Sequence, residues 1–326
     1  MEILLAADEP LLDTAEAIGI PAVAITAETI RHGESVRTAT ARLDALLDLA
    51  GDWPPDVVVG GLSYVPGLLA ARLGVRYVRQ AWEVAPRAGN GRRAEEELRP
   101  ELDRLGLAGL PDPALSIDVC PPSLRPPDAP AAQPMRWIPR NRQCRLEPWM
   151  YTRPKGRRRV LITSGTRTLM LRTPGSSVRH LVDQLAMTGA EVLIAAPEGA
   201  AEKFGAELGD VRVGWIPLDV VAPTCDLAVH HGGATTATTV INAGVPSLIT
   251  PDNGYGRSVA QAVSGFGAAL MVEPGPDQDA VAVIAAGCLE VLSSPRYAER
   301  ARALAAEIAT LPTPSEVLRT LETLAA

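Results

Sequence analysis

From Arg159 onward the chain alternates short runs rich in Val, Ile and Leu with stretches whose apolar residues recur at helical spacing. That rhythm marks β-α-β units wound on a parallel sheet. It places strands at 160–163, 191–195, 211–213, 227–230, 247–250 and 268–271, enough for a complete doubly wound sheet. Helices are expected between them at 178–188, 200–208, 236–243, 258–264 and 277–292. Gly189, Gly209, Gly244 and Gly265 stand where those helices should stop, as C-terminal caps require. The first half repeats the pattern less clearly, with strands expected at 3–6, 22–25, 57–59 and 76–78 and helices at 8–18 and 35–50. After Ala108 it gives way to a proline-rich stretch around Cys120-Pro121-Pro122, Pro126, Pro127, Pro130 and Pro134, read as ordered loop because proline removes backbone donors. The basic cluster Lys155, Arg157, Arg158 and Arg159 reads as a solvated linker face. The expected division is into domains 1–150 and 151–326, with a helix over 315–326 that could pack back across the first domain.

A length of 326 residues fits two domains of ordinary size. A net charge of -7 gives no basic field to neutralise a phosphate backbone, and 5 Trp, 5 Tyr and 2 Phe offer few stacking platforms, so no nucleic acid partner is expected. No apolar stretch reaches the roughly 18 residues that span a bilayer, and no secretory leader pattern opens the chain, so a cytoplasmic protein with no membrane insertion is expected. Cys120, Cys144, Cys225 and Cys288 lack CxxC spacing and the histidines form no HExxH, which points to no metal site and to reduced, mostly buried thiols.

Two open parallel sheets in one chain create a cleft at their strand C-termini, where ligands of such sheets bind. The sharpest feature is His230-His231-Gly232-Gly233-Ala234-Thr235-Thr236, lying between an expected strand and an expected helix. Glycines let the backbone pass close to a ligand, and a helix N-terminus offers free amides and positive dipole to an anion. The run is neither GxGxxG nor a Walker A loop, since the spacing differs and no Lys follows. The alternative is a Gly-rich turn with Thr235 as helix cap. Ser164-Gly165-Thr166 and Trp215-Ile216-Pro217 follow two other strands of the same half. An indole there could stack on a nucleobase or simply fill core. A phosphate loop and an aromatic loop at one cleft suggest a nucleoside diphosphate.

The run from Val211 through Trp215-Ile216-Pro217, His230-His231-Gly232-Gly233 and Asn242-Ala243-Gly244-Val245-Pro246 closely resembles the bacterial GT-B glycosyltransferases of antibiotic biosynthesis. Segments at Val78–Glu83, 96–100 and 120–128 resemble the same family. The resemblance implies an α/β fold of two Rossmann-like doubly wound domains facing across a cleft, the donor bound by the second and the aglycone by the first. It implies transfer of a deoxysugar from a nucleoside diphosphate, thymidine diphosphate (TDP) by family expectation, to an aromatic polyketide or related aglycone, with inversion and without a metal or other cofactor. Trp215 would stack on the base and the backbone of Ile216 would read its edge. His231, Gly232, Gly233, Ala234, Thr235 and Thr236 would hold the diphosphate, with Ser164, Gly165 and Thr166 across from them. The donor-sugar region would be Asp252, Tyr255 and Gly256, and the acceptor side would include Trp82 and Glu83. Nucleotide-sugar and small-molecule aglycone are the expected partners, and a homodimer is compatible with the sequence.

The chain departs from the family in three places. Thr235 replaces a usual glycine. Tyr255 and Gly256 replace an acid-glutamine pair that grips sugar hydroxyls in many relatives, a change that suits a deoxysugar. The family's leading strand, histidine-bearing loop and helix have no counterpart before Glu2, so the chain is expected to lack its central first strand and the family's base. Asp8 and Glu83 are lesser candidates to replace that base and His32 does not match it; the expectation is instead that the sequence is truncated and that the leading segment is missing from it. Two other readings stay open: a catalytically silent nucleotide-sugar binding or partner protein, and an epimerase of the same architecture.

Overall fold

The computed structural model describes residues 2–26, 36–84, 91–141, 144–163, 175–197, 208, 211–275 and 278–325. The strands among them are, in chain order, β1 Leu5–Asp8, β2 Ala22–Thr26, β3 Val57–Gly60, β4 Arg76–Gln80, β5 Leu115–Asp118, β6 Gln133–Pro134, β7 Arg159–Thr163, β8 Glu191–Ala195, β9 Arg212–Gly214, β10 Leu227–His230, β11 Ser247–Ile249 and β12 Ala269–Met271.

In the second half, six strands form one parallel sheet ordered β12-β11-β10-β7-β8-β9. The chain enters at the central β7, winds outward to β9, then returns to β10 beside β7, which makes the β7/β10 crevice the topological switch point. Period-2 alternation explains why these strands read as unbroken apolar runs. Val160 and Ile162 join a core with Val178, Leu181 and Cys288 on one face, while Leu161 between them joins Val221, Val240 and Ile216 on the other.

Arg159, expected on a solvated linker, is instead 2% exposed. Its guanidinium donates to Glu191 Oε2 at 2.8 Å, to the carbonyls of Trp149 and Thr152 at 2.9 and 3.0 Å, and to Thr224 Oγ1 at 2.6 Å. The cation is tolerated inside because four acceptors engage its Nε and Nη1. Met150, just before the basic cluster, packs into the same core as Leu161.

In the first half, β3-β4-β5-β6 form a parallel sheet, and β1-β2 form a separate parallel pair. β5 lies inside the stretch read as loop, its Ile117 buried with Val78. Among the described residues no ladder joins β1 to β3. A cavity of about 250 Å³ lies between them, lined by Leu5, Ala6, Val57, Val59, Leu46 and Leu69 among others. The two arms of this half flank it, β1-β2 on one side and β3-β4-β5-β6 on the other.

The halves are bound together by the interface core of Val84, Val119, Cys120, Leu124 and Trp137 against Ile241, Ile249, Val259, Leu304 and Ile308. The backbone amides of Arg136 and Ser123 donate across it, to the Pro312 carbonyl and to Glu307 Oε1, both at 2.7 Å. The last helix, Pro314–Ala325, packs Val317, Leu321 and Leu324 against Val78, Ile117 and Leu115 of the first sheet.

One helix boundary and one whole helix differ from expectation. Gly265 lies inside the helix Gly254–Phe266, and the stop is Gly267, whose φ of 91° needs a residue without Cβ. The helix Pro295–Thr310, absent from the reading of the sequence, buries Tyr297, Ala301, Leu304 and Ile308 along one stripe. The helix expected over 200–208 and the cap at Gly209 lie outside the described residues apart from Leu208.

Candidate active site

β10 delivers His230 to the C-terminal edge of the second sheet, and His231, Gly232 and Gly233 turn the chain into the helix Ala234–Asn242. Gly233 is the N-cap, so no cap side chain covers the first-turn amides. Thr235, the alternative cap, stands inside the helix and is exposed. The turn therefore keeps the free donors that an anion needs.

Each glycine of the turn has a steric reason. A Cβ on Gly233 would lie 2.5 Å from His231 Nε2, so the imidazole folds over this residue. Gly232 has φ +85°, and a Cβ on it would lie 2.7 Å from the Gly256 carbonyl oxygen. Reciprocally, a Cβ on Gly256 would lie 2.6 Å from the His231 carbonyl oxygen. The His231–Gly233 turn and the start of the helix Gly254–Phe266 thus touch backbone to backbone. Asn253 caps that helix by accepting from the Gly256 amide at 2.9 Å, and donates to Asp252 Oδ1 at 2.6 Å.

His230, which the reading of the sequence did not assign to the site, organises it. Its Nδ1 accepts the Gly232 amide at 3.1 Å, so its proton sits on Nε2, 3.2 Å from Ser247 Oγ. Burial, with His231 beside it, pushes its pKa down to about 3, so the ring is neutral. The available signal was its position at the end of a fully buried strand, where a polar side chain must find partners.

Trp215 follows β9 and is 42% exposed, against the core-filling reading, while neighbouring Ile216 is buried in the core. β9 and β10 are three ladder steps apart, about 14 Å at ordinary strand spacing. An extended nucleoside diphosphate bridges such a span, base at one end and phosphates at the other. Ser164, Gly165 and Thr166 lie outside the described residues. Among the described residues no group of three or more His, Cys, Asp or Glu side chains gathers as a metal set would.

The chain matches two family models, Erythromycin biosynthesis protein CIII-like, N-terminal domain, over residues 29–165, and the corresponding C-terminal domain over 179–324. The chain belongs to the EryCIII-like glycosyltransferases. It is 36% identical to the L-demethylnoviosyl transferase of Streptomyces niveus over 88% of this chain and 76% of that one. It is 30% identical to the Aclacinomycin-T 2-deoxy-L-fucose transferase of Streptomyces galilaeus over 87% of this chain and 69% of that one. The solved structure of Spinosyn Rhamnosyltransferase SpnG superposes with a TM-score of 0.86 at 28% identity, over 98% of this chain and 92% of that one. SpnG has also been solved with thymidine diphosphate and with spinosyn aglycone.

In this EryCIII-like enzyme the residues expected on the acceptor side and the candidate bases have other contacts as well. Trp82 is 40% exposed and lies over Gly61, where a Cβ would come within 2.7 Å of the ring. Glu83 pairs with Arg79 at 3.3 Å. Asp8, a candidate base, accepts from Thr26 Oγ1 at 2.7 Å and is ion-paired to Arg42, which lines the inter-strand cavity, so Asp8 acts as a structural anchor. His32 lies outside the described residues. Tyr255 does not present a free hydroxyl: that group is bonded to the backbone of Val84 in the first half. No helix among the described residues is long and apolar enough to cross a membrane.

Proposed function

We propose that this glycosyltransferase moves a deoxysugar from a TDP-sugar to an aromatic polyketide or related aglycone, with inversion and without a metal. The observation that carries the reading is the uncapped turn His231-Gly232-Gly233 at the sheet's switch point, three strands from an exposed Trp215. Trp215 stacks on the base. His231 and the first-turn amides of Ala234–Asn242 receive the diphosphate and stabilise the charge that grows on it as the glycosidic bond breaks. Inversion follows from direct displacement: an acceptor hydroxyl, or a nucleophilic aromatic carbon, attacks the anomeric carbon from the face opposite the diphosphate. The names of the relatives support the donor class: deoxysugars are transferred by the Streptomyces galilaeus protein, and thymidine diphosphate occupies a solved structure of SpnG.

Gly256 supports the deoxysugar assignment less than the sequence suggested, because the close approach to the His231 carbonyl already requires a residue without Cβ there. Titration with TDP tests the site. Trp215→Ala is expected to weaken binding by about 1–3 kcal/mol, or roughly 5- to 150-fold, the usual worth of a base-aromatic stack. His231→Ala is expected to lower turnover with a TDP-deoxysugar more than it weakens TDP itself. Unchanged TDP affinity in both variants would refute the assignment.

A further inference from the structure

We propose that Tyr255 is a positioning residue that couples occupancy of the phosphate turn to the acceptor-side segment Trp82-Glu83-Val84. The inference rests on the proposed function, because it takes the turn at His231–Gly233 as the donor site. Its evidence is separate from that reading.

The Tyr255 hydroxyl accepts the Val84 amide at 3.1 Å and faces the Val84 carbonyl at 3.4 Å, as donor. One phenol thus engages both backbone groups of a buried residue on the opposite side of the interface. Burial raises the phenol's pKa, so the hydroxyl keeps the proton it donates to the carbonyl. The ring packs against the interface core that holds Val84, Cys120, Leu124 and Val259.

At its other end, Tyr255 belongs to the first turn of the helix Gly254–Phe266, immediately before Gly256. Gly256 is the residue whose backbone lies against Gly232 and the His231 carbonyl, with no room for a single methyl group. The path from phosphate turn to acceptor wall is therefore short and stiff: Gly232 to Gly256 by backbone contact, Gly256 to Tyr255 by one peptide, Tyr255 to Val84 by paired hydrogen bonds, and Val84 to Glu83 and Trp82 along the chain. A ligand that fixes the turn fixes the helix start, and the phenol passes that constraint to Val84. Sites joined in this way share a coupling free energy, typically about 5- to 150-fold in affinity.

Hydrogen exchange with TDP as the probe tests this without an identified aglycone. In the unsubstituted enzyme, saturating TDP is expected to slow exchange at the Val84 amide on the order of tenfold. Tyr255→Phe, which keeps the ring and removes the hydroxyl, is expected still to bind TDP but to lose that slowing, and Tyr255→Leu should behave alike. TDP binding by each variant, measured by titration, certifies that its donor half is folded. TDP-dependent slowing at Val84 that persists in Tyr255→Phe would overturn the proposal, as would its absence in the unsubstituted enzyme when TDP is bound. Failure of the unsubstituted enzyme to bind TDP would instead overturn the donor-site reading and the proposal with it, an outcome recognisable at the titration step.

Discussion

Gly256→Ala is a small perturbation whose effect separates two explanations of this glycine. If Gly256 is a consequence of the donor sugar, a methyl group there changes sugar selection and leaves TDP binding alone. If it exists for the backbone contact, the methyl strikes the phosphate turn. The new Cβ would stand 2.6 Å from the His231 carbonyl oxygen. Backbone cannot rotate out of the way as a long side chain can, so the turn or the helix start must retreat. Overpacking of this kind costs about 1–3 kcal/mol. The greater helix propensity of alanine returns about 0.8–1 kcal/mol of it. Global stability should therefore fall by only about 0–2 kcal/mol, while the anion-binding amides move by several tenths of an ångström. Since about 1.4 kcal/mol is a factor of ten, TDP affinity is expected to fall roughly tenfold. The control is Gly265→Ala in the same helix, where the added Cβ meets nothing within 4 Å; it should gain about 0.5–1 kcal/mol and bind TDP normally. Calorimetric titration with TDP and urea unfolding of both variants provide the comparison. If Gly256→Ala binds TDP as tightly as Gly265→Ala does, the contact does not position the turn, and the steric account of this pair of glycines is wrong.

Three further outcomes follow from buried groups. His230, pushed down to about 3 by burial, carries fewer protons folded than unfolded between that value and its ordinary pKa near 6.5. Stability should therefore rise with pH through that window, by up to about 1.4 kcal/mol per unit, and a series of urea midpoints should show His230→Asn lacking this component. Cys225 and Cys288 are pushed up to about 12 by burial and Cys120 is buried, whereas Cys144 is exposed. A thiol reagent at pH 7.5 should thus label Cys144 first, with the others reacting only on unfolding; equal rates for all would contradict the packing. Arg159→Met removes a cation from four protein acceptors and should cost about 3–5 kcal/mol in chemical denaturation.

The second half is legible because its signals are local. Its central strands β7 and β10 are buried on both faces and read as continuous apolar runs, and the candidate phosphate turn compresses glycines, an imidazole and a helix start into one short stretch between β10 and its helix. What escaped the reading depends on partners distant in sequence. Arg159 sits in a basic cluster that looks solvated, and only the folded positions of Glu191 and Thr224 show why this arginine is inside. Gly256 looked like a sugar-pocket residue because nothing near it in the chain records that the His231 carbonyl lies against it. β5 hid among prolines because its apolar residues are few and its burial comes from β4 and the last helix, Val78 and Val317 meeting Ile117. The acceptor side is the extreme case. The segment expected there, Trp82-Glu83-Val84, is tied to the second half by a hydrogen bond between residues 171 apart, Val84 and Tyr255. Closing so long a loop carries an entropy cost that packing elsewhere in the interface must already have met before one phenol can bond to one amide. The local motif is therefore readable along the chain, whereas the register of the two halves is set by the interface core of Cys120, Leu124, Ile249 and Val259, against which the Tyr255 ring packs.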